Sequence, residues 1–328
     1  MSRPRLGFLG IGWIGRHRMQ AIAATGLAEI AAIADPTPAM LEEAAKLAPD
    51  AYHADGLDDL LAQDLDGLVI ATPSALHAEQ SIQALRRGVA VFCQKPLGRT
   101  APEVQAVVEA AKAADRLLAV DLSYRFTEGM RRIRELVRAG ELGRIHAVDL
   151  VFHNAYGPDK PWFYDPAQSG GGCVMDLGVH LVDLALWTLD FPAVGRVSGT
   201  LFAGGERLGP QPGRVEDYAI ANIDLQDGAA LRLACSWRLQ AGCDAMISAA
   251  FYGTEGGAAL RNIDGSFYDF TAERYRGTSR ETLATPPDEW GGRAAADWAR
   301  RLAEGQRYDP AIERITDVSR VLDGIYGR

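Results

Sequence analysis

The chain has 328 residues, 48% of them hydrophobic and 23% charged, with a formal net charge of −9 at pH 7. That is apolar material for about two globular domains. The acidic balance argues against a general nucleic-acid or anionic-membrane binder, although a local basic cluster can still meet an anionic ligand. Cys93, Cys173, Cys235 and Cys243 form no CxxC pair and no zinc-type spacing, so they read as small buried apolar residues in a reduced compartment.

A short basic start and the apolar stretch 6–15 imitate a signal peptide, but four glycines interrupt that stretch and Arg16, His17 and Arg18 follow it at once. No other run is long enough to span a bilayer, so a cytoplasmic protein with no membrane partner is expected. Short apolar runs then recur at 5–9, 29–34, 67–71, 89–93 and 117–122, with alanine-rich helical patterns between them at 75–87 and 101–115. Buried strands alternating with helices predict βαβ units and a parallel sheet. Beyond a boundary near 122–124 the pattern changes. Residues 145–153 alternate, 175–189 read as a helix, and period-two segments follow at 196–202, 218–225, 229–237 and 244–252. Asp227-Gly228 marks a hairpin between two of them. The loop 203–214 is rich in Gly and Pro and expected to be exposed, and helical patterns at 293–304 and 310–325 close the chain. The expected fold class is therefore α/β: a Rossmann-type doubly wound domain over 1–122, then an α+β domain over 123–328 built on an open-faced, mostly antiparallel sheet.

Residues 5–16 read RLGFLGIGWIGR. Gly10-Ile11-Gly12-Trp13-Ile14-Gly15 follows a predicted strand and opens a predicted helix, the context in which a glycine turn and a helix N-terminus receive a pyrophosphate. Asp35 ends the next strand 20 residues after Gly15, where a carboxylate accepts hydrogen bonds from ribose hydroxyls. It would repel a 2′-phosphate, and Pro36, Thr37 and Pro38 offer no compensating cation, so NAD is expected over NADP. Thr72, Pro73 and His77, in the strand-to-helix stretch ATPSALH at 71–77, and Gln94-Lys95 after the strand 89–93 are placed at the crevice end of the sheet and join the cofactor-binding set.

Taken in order, these motifs with Gln94-Lys95-Pro96, Tyr124-Arg125-Phe126 and the stretch from Gly170 through Asp176 and His180 to Asp183 resemble the glucose–fructose oxidoreductase, inositol dehydrogenase and MocA (Gfo/Idh/MocA) family over nearly the whole length. The resemblance implies a Rossmann domain, a second domain often used for oligomerisation, and oxidation or reduction of a sugar, cyclitol or related polyol. It also implies a catalytic set of Lys95, Asp176 and His180. His180 takes the hydroxyl proton, Lys95 hydrogen-bonds the reacting oxygen, and Asp176 holds a substrate hydroxyl and orients His180. Asp176 and His180, four residues apart, share one helical face, and Asp183 can share it too. Two residues depart from the family pattern: Gln94 stands where Glu is usual, and Phe163 follows Trp162 where Arg is frequent. Tyr124, Arg125, Asn154 and Trp162, with His153 and Tyr156 nearby, are candidate substrate contacts. No metal is expected, because Lys95 polarises the oxygen. A homodimer or homotetramer is expected if the open sheet face is apolar. Two rival readings are NAD-assisted glycoside cleavage, which needs a differently placed tyrosine-type base, and a non-catalytic NAD-binding regulator, which the Gln94 departure keeps open.

Overall fold

The computed structural model describes residues 3–209 and 213–328. The central part of the loop expected at 203–214, residues 210–212, lies outside the described residues. The chain divides into two compact units: residues up to Ser123 with Gly292–Glu313, and Tyr124–Gly291 with Arg314–Arg328.

The first unit is built on six parallel strands, β1 (Arg5–Leu9), β2 (Glu29–Ala34), β3 (Tyr52–His53), β4 (Gly67–Ile70), β5 (Ala90–Cys93) and β6 (Leu118–Val120), in the order β3-β2-β1-β4-β5-β6. The reversal of strand order beside β1 is the doubly wound topology, and it places the ends of β1 and β4 at the switch point where ligands bind. Every residue of β4 and β5 is buried, which is why both read as continuous apolar runs rather than alternating ones. Helices α1 (Trp13–Thr25), α2 (Pro38–Ala45), α3 (Leu57–Leu60), α4 (Ser74–Arg86) and α5 (Ala101–Ala114) connect them. Thr100 caps α5 by accepting from Glu103 N–H, one of the donors a helix start leaves without an internal partner.

The second unit carries nine strands: β7 (Ile145–Asn154), β8 (Val194–Ala203), β9 (Glu206–Arg207), β10 (Tyr218–Leu225), β11 (Ala230–Ser236), β12 (Ala245–Gly253), β13 (Gly257–Asn262), β14 (Phe270–Arg276) and β15 (Ser279–Ala284). They pair in the order β15-β14-β13-β12-β7-β11-β10-β8-β9, antiparallel except where β7 meets β11. Asp227-Gly228 turns the β10–β11 hairpin with Gly228 at φ +92°, a conformation glycine adopts without steric cost. Along β10, Ala219, Ala221, Ile223 and Leu225 are buried while Ile220, Asn222 and Asp224 are exposed, so one face is covered and the other open. Helices α6 (Glu128–Arg138) and α8 (Val179–Thr188) pack on the sheet, and α7 (Pro166–Ser169) is a single turn.

Three differences from the sequence reading matter. Strands β13 to β15 were not anticipated; β15, SRETLA, is an edge strand with no buried residue and therefore no apolar alternation to detect. The helix expected at 175–189 is one π-helical turn, Val174–Gly178, followed by α8, so a regular four-residue spacing does not relate Asp176 to His180. Finally, where the reading runs the second domain from 123 to 328, helix α9 (Arg293–Ala303) clusters with the first unit, and only α10 (Ile315–Tyr326) returns to the second. The cause is Trp298. Its side chain is fully buried with its ring centroid 5.8 Å from that of Phe92, and a Cβ on Gly67 would lie 2.7 Å from the indole. Burying an indole is worth several kcal/mol, about 3–5 by comparison with aromatic-to-alanine truncations, and Gly67 leaves the space for it.

Candidate active site

The strongest local constraint in the first unit is the turn between β1 and α1. Gly10 sits at φ +80°, and a Cβ there would stand 2.6 Å from the Ala71 carbonyl oxygen; a Cβ on Gly15 would stand 2.1 Å from the Gly10 carbonyl. Neither position admits a side chain. Gly12 is different, because a Cβ added there meets nothing within 4 Å. Its lack of a side chain therefore leaves open space at the start of α1, where backbone N–H groups point outward and the helix dipole is positive. Asp35 closes this corner, accepting from Ile11 N–H (2.8 Å) through Oδ2 and from Thr37 N–H (2.9 Å) through Oδ1. Each carboxylate oxygen keeps a further lone pair for a ribose hydroxyl. Open space at a helix start, with a carboxylate beyond it, fits a dinucleotide. Trp13 is 61% exposed at the first position of α1, with its ring stacked on His17, and Ile14 follows it within α1.

Thr72 donates through its hydroxyl to Gln80 Oε1 at 2.6 Å, which ties the turn after β4 to α4. Pro73 lies immediately before the first residue of α4 in extended conformation. His77 is buried, with Nδ1 2.7 Å from the Pro96 carbonyl and Nε2 2.7 Å from that of Thr72. Burial is the dominant influence on the ring and lowers its pKa, so the imidazole is neutral at pH 7 and donates to one carbonyl at a time. His77 thus braces the Thr72 turn against the turn that carries Lys95. Gln94 is buried and donates to Asp121, while Lys95 beside it is partly exposed.

In the second unit Asp176 Oδ2 accepts from Trp237 Nε1 at 3.0 Å. The indole of Trp237 packs edge-on against Tyr164 and Phe163, and Phe163 stacks on Trp162 with centroids 3.8 Å apart. Asp176 therefore stands beside an aromatic wall, a surface suited to the apolar face of a sugar ring. His180 is buried with its ring 4.9 Å from Tyr124, and Tyr124 also contacts Trp290 and Phe270. Burial pushes the Tyr124 phenol well above its ordinary value. Asn154 Oδ1 accepts from Tyr156 N–H, whose hydroxyl in turn donates to Asp244. Arg125 and Asp183 form a two-pronged ion pair inside this unit, and the guanidinium also lies over Trp187 and Phe191. Burial raises the Asp183 carboxyl above the usual carboxylate range, and Arg125 offsets part of that. This pair is a strut, which accounts for both charges without a ligand.

Sequence reasoning missed Trp237 and Glu216. Glu216 is buried and its carboxylate accepts from Gly172 N–H (3.0 Å), Val174 N–H (2.9 Å) and the Tyr326 hydroxyl (2.8 Å). A Cβ on Gly172 would lie 1.8 Å from the Glu216 carbonyl oxygen, and one on Gly171 would lie 2.0 Å from the Tyr326 hydroxyl. The glycine run at 170–172 is thus the space into which Glu216 and Tyr326 press, and it anchors the π turn that presents Asp176. The carboxylate at the turn's start also complements its free N–H groups. No helix among the described residues is long and apolar enough to cross a membrane.

A six-stranded Rossmann sheet with a glycine turn and a terminal Asp, followed by a second unit on an open-faced sheet, defines a nucleotide-dependent oxidoreductase of two-unit architecture. Residues 5–122 match the family described as "Oxidoreductase family, NAD-binding Rossmann fold", and residues 130–259 match the "GFO/IDH/MocA C-terminal domain". The chain is 33% identical over 264 residues to the "Rhizopine catabolism protein MocA" of Rhizobium meliloti, covering 80% of this chain and 79% of that protein. It is 29% identical over 249 residues to the "D-glucoside 3-dehydrogenase" of Escherichia coli, covering 71% and 69%. Among solved structures, levoglucosan dehydrogenase in complex with NADH and levoglucosan superposes with a TM-score of 0.83 at 22% identity, over 99% of this chain and 96% of that one, a likeness of fold. The chain belongs to the Gfo/Idh/MocA oxidoreductase family, and its first unit is an NAD-binding Rossmann domain.

Proposed function

We propose that this protein is an NAD-preferring dehydrogenase of a sugar, cyclitol or related polyol. The observation that carries the reading is the pairing of open space at Gly12 with the Asp35 carboxylate at the end of β2. NAD, when bound, supplies the hydride acceptor for a CH–OH group. Backbone N–H groups at the start of α1, from Trp13 and Ile14, would hold its pyrophosphate. Asp35 would receive the ribose hydroxyls and repel a 2′-phosphate, and no Lys or Arg follows it within three residues.

The roles of the chain's own residues follow from their chemistry. Lys95 donates a hydrogen bond to the reacting oxygen and stabilises the negative charge that grows there. His180 accepts the hydroxyl proton. Asp176, fixed by Trp237, holds a neighbouring hydroxyl, and Trp162 with Phe163 covers the ring face. Tyr124 packs on the His180 imidazole and sets its plane, and Asn154 offers its amide at the end of β7. The relatives named as glucoside 3-dehydrogenase and inositol 2-dehydrogenase support a polyhydroxylated substrate. The open face of the second sheet, with Ile220, Met246 and Tyr252 exposed, supports a homodimer or homotetramer.

The test is an absorbance screen at 340 nm over free sugars, inositols, sugar acids and glycosides, with NAD and NADP in parallel. Lys95→Ala and His180→Ala are each expected to lower kcat by about 10²–10⁴-fold, with the dissociation constant for NAD within threefold of the parent. Near-normal turnover in either variant refutes the assignment of that residue, and tighter NADPH than NADH binding refutes the cofactor preference.

A further inference from the structure

Behind the strand end that carries Lys95 lies a buried group of polar side chains which the reaction above does not use. Asp121, after β6, is 1% exposed, Arg18 on α1 is 6% exposed and Gln94 is 7% exposed. The guanidinium donates through Nε to Asp121 Oδ2 at 2.5 Å, and the Gln94 amide donates to the same oxygen. Arg18 also donates through Nη1 to His17 Nδ1 at 2.8 Å, which fixes the proton of that imidazole on Nε2. The main chain is tied to the same place. Gln94 N–H donates to the Ile70 carbonyl, and Asp121 N–H donates to the Cys93 carbonyl, each at 2.9 Å. One carboxylate therefore links the dinucleotide-binding helix, the end of β6 and the residue immediately before Lys95.

The chemistry at position 94 follows from this contact. Gln94 turns an N–H donor toward Asp121. A glutamate there would set two carboxylates within hydrogen-bond distance against a single guanidinium, and two like charges so close do not both stay ionised. Conversely, removing the Asp121 charge leaves a buried guanidinium without its counter-ion, which is strongly destabilising. With Gln at position 94, one carboxylate stands beside the strand end, that of Asp121 just after β6.

We propose that Asp121 is a positioning residue for Lys95, holding through Gln94 and Arg18 the strand end on which Lys95 stands, and that residues 94 and 121 form an exchangeable amide–carboxylate pair. The assignment rests on the reading of Lys95 as the residue that meets the reacting oxygen. The experiment compares the parent with Gln94→Glu, Asp121→Asn and the double exchange, using three measurements on the full chain. These are the thermal midpoint without cofactor, the dissociation constant for NAD by calorimetry, and the resonance of Lys95 after reductive ¹³C-methylation. The last is readily assigned because the chain has four lysines, Lys46, Lys95, Lys112 and Lys160. With a substrate from the screen, kcat is added.

Each single exchange is expected to displace the Lys95 resonance, lower the midpoint and lower kcat at least tenfold, with a smaller change in NAD affinity than in kcat. The double exchange is expected to return the resonance toward the parent and recover kcat to within about threefold. Losses that simply add in the double exchange, or a Lys95 resonance that no single exchange moves, overturn the proposal. Should the parent turn over no polyol, the dehydrogenase reading fails, while the resonance and the midpoints still decide whether residues 94 and 121 act as a pair.

Discussion

Replacing Glu216 tests how the glycine run at 170–172 presents Asp176. In Glu216→Ala three donors lose their acceptor, the N–H groups of Gly172 and Val174 and the hydroxyl of Tyr326. A buried donor left without an acceptor costs about 1–3 kcal/mol, so three together cost roughly 3–6 kcal/mol once some water enters the space. At about 2–4 °C per kcal/mol for a unit of this size, the thermal midpoint falls by roughly 6–24 °C. Glu216→Gln keeps the shape and one acceptor oxygen, and its loss is about 1–2 kcal/mol. The pH dependence has a definite sign. Burial raises the Glu216 carboxyl above its reference value of 4.5, so the folded state holds this proton more tightly than the unfolded chain. The contribution of Glu216 is full below the ordinary carboxylate range and declines as the pH rises through the raised value. Gln carries no such dependence, so the gap between parent and Glu216→Gln narrows as the pH rises. Differential scanning calorimetry at several pH values reads both effects. A Glu216→Ala midpoint within about 1 °C of the parent refutes the anchoring role, and a gap that widens with pH refutes the dominance of burial over the hydrogen bonds at this carboxyl.

Two further outcomes are expected. The pKa of His77 is lowered chiefly by burial, so in ¹⁵N-detected imidazole titrations His77 stays neutral as the pH passes 6.5; its stabilising contribution is present above that value and is lost as the pH falls below it, and a midpoint at or above 6.5 contradicts the brace. In light scattering at micromolar concentration the protein elutes with the mass of a dimer or tetramer, and Met246→Glu on the open sheet face shifts it toward monomer; a parent that is monomeric removes the case for the sheet face as an interface.

The nucleotide half was legible because its signals are local. Gly10, Gly12 and Gly15 fall within six consecutive positions, and Asp35 lies one strand further on, so sequence spacing and spatial neighbourhood coincide there. The hairpin at Asp227-Gly228 was legible for the same reason. What escaped was set by contacts between distant residues. Asp176 meets Trp237 across 61 positions and Glu216 reaches Gly172 across 44, and no periodicity records either. The π turn escaped because the apolar pattern at 175–189 is that of any buried helix. Arg125 illustrates a converse difficulty: an arginine beside candidate ligand residues suggests a substrate contact, and only the position of Asp183 shows how its charge is met.

Helix α9 also bears on the order of events during synthesis. The nucleotide-binding half is stitched from two stretches separated by 168 residues, Tyr124–Gly291, so its hydrophobic interior stays incomplete beside Phe92 and Gly67 until Trp298 has left the ribosome. A fragment ending near residue 123 is therefore an open sandwich with a slot where the indole belongs, and anyone wishing to produce the coenzyme-binding half by itself must graft 292–313 back onto it.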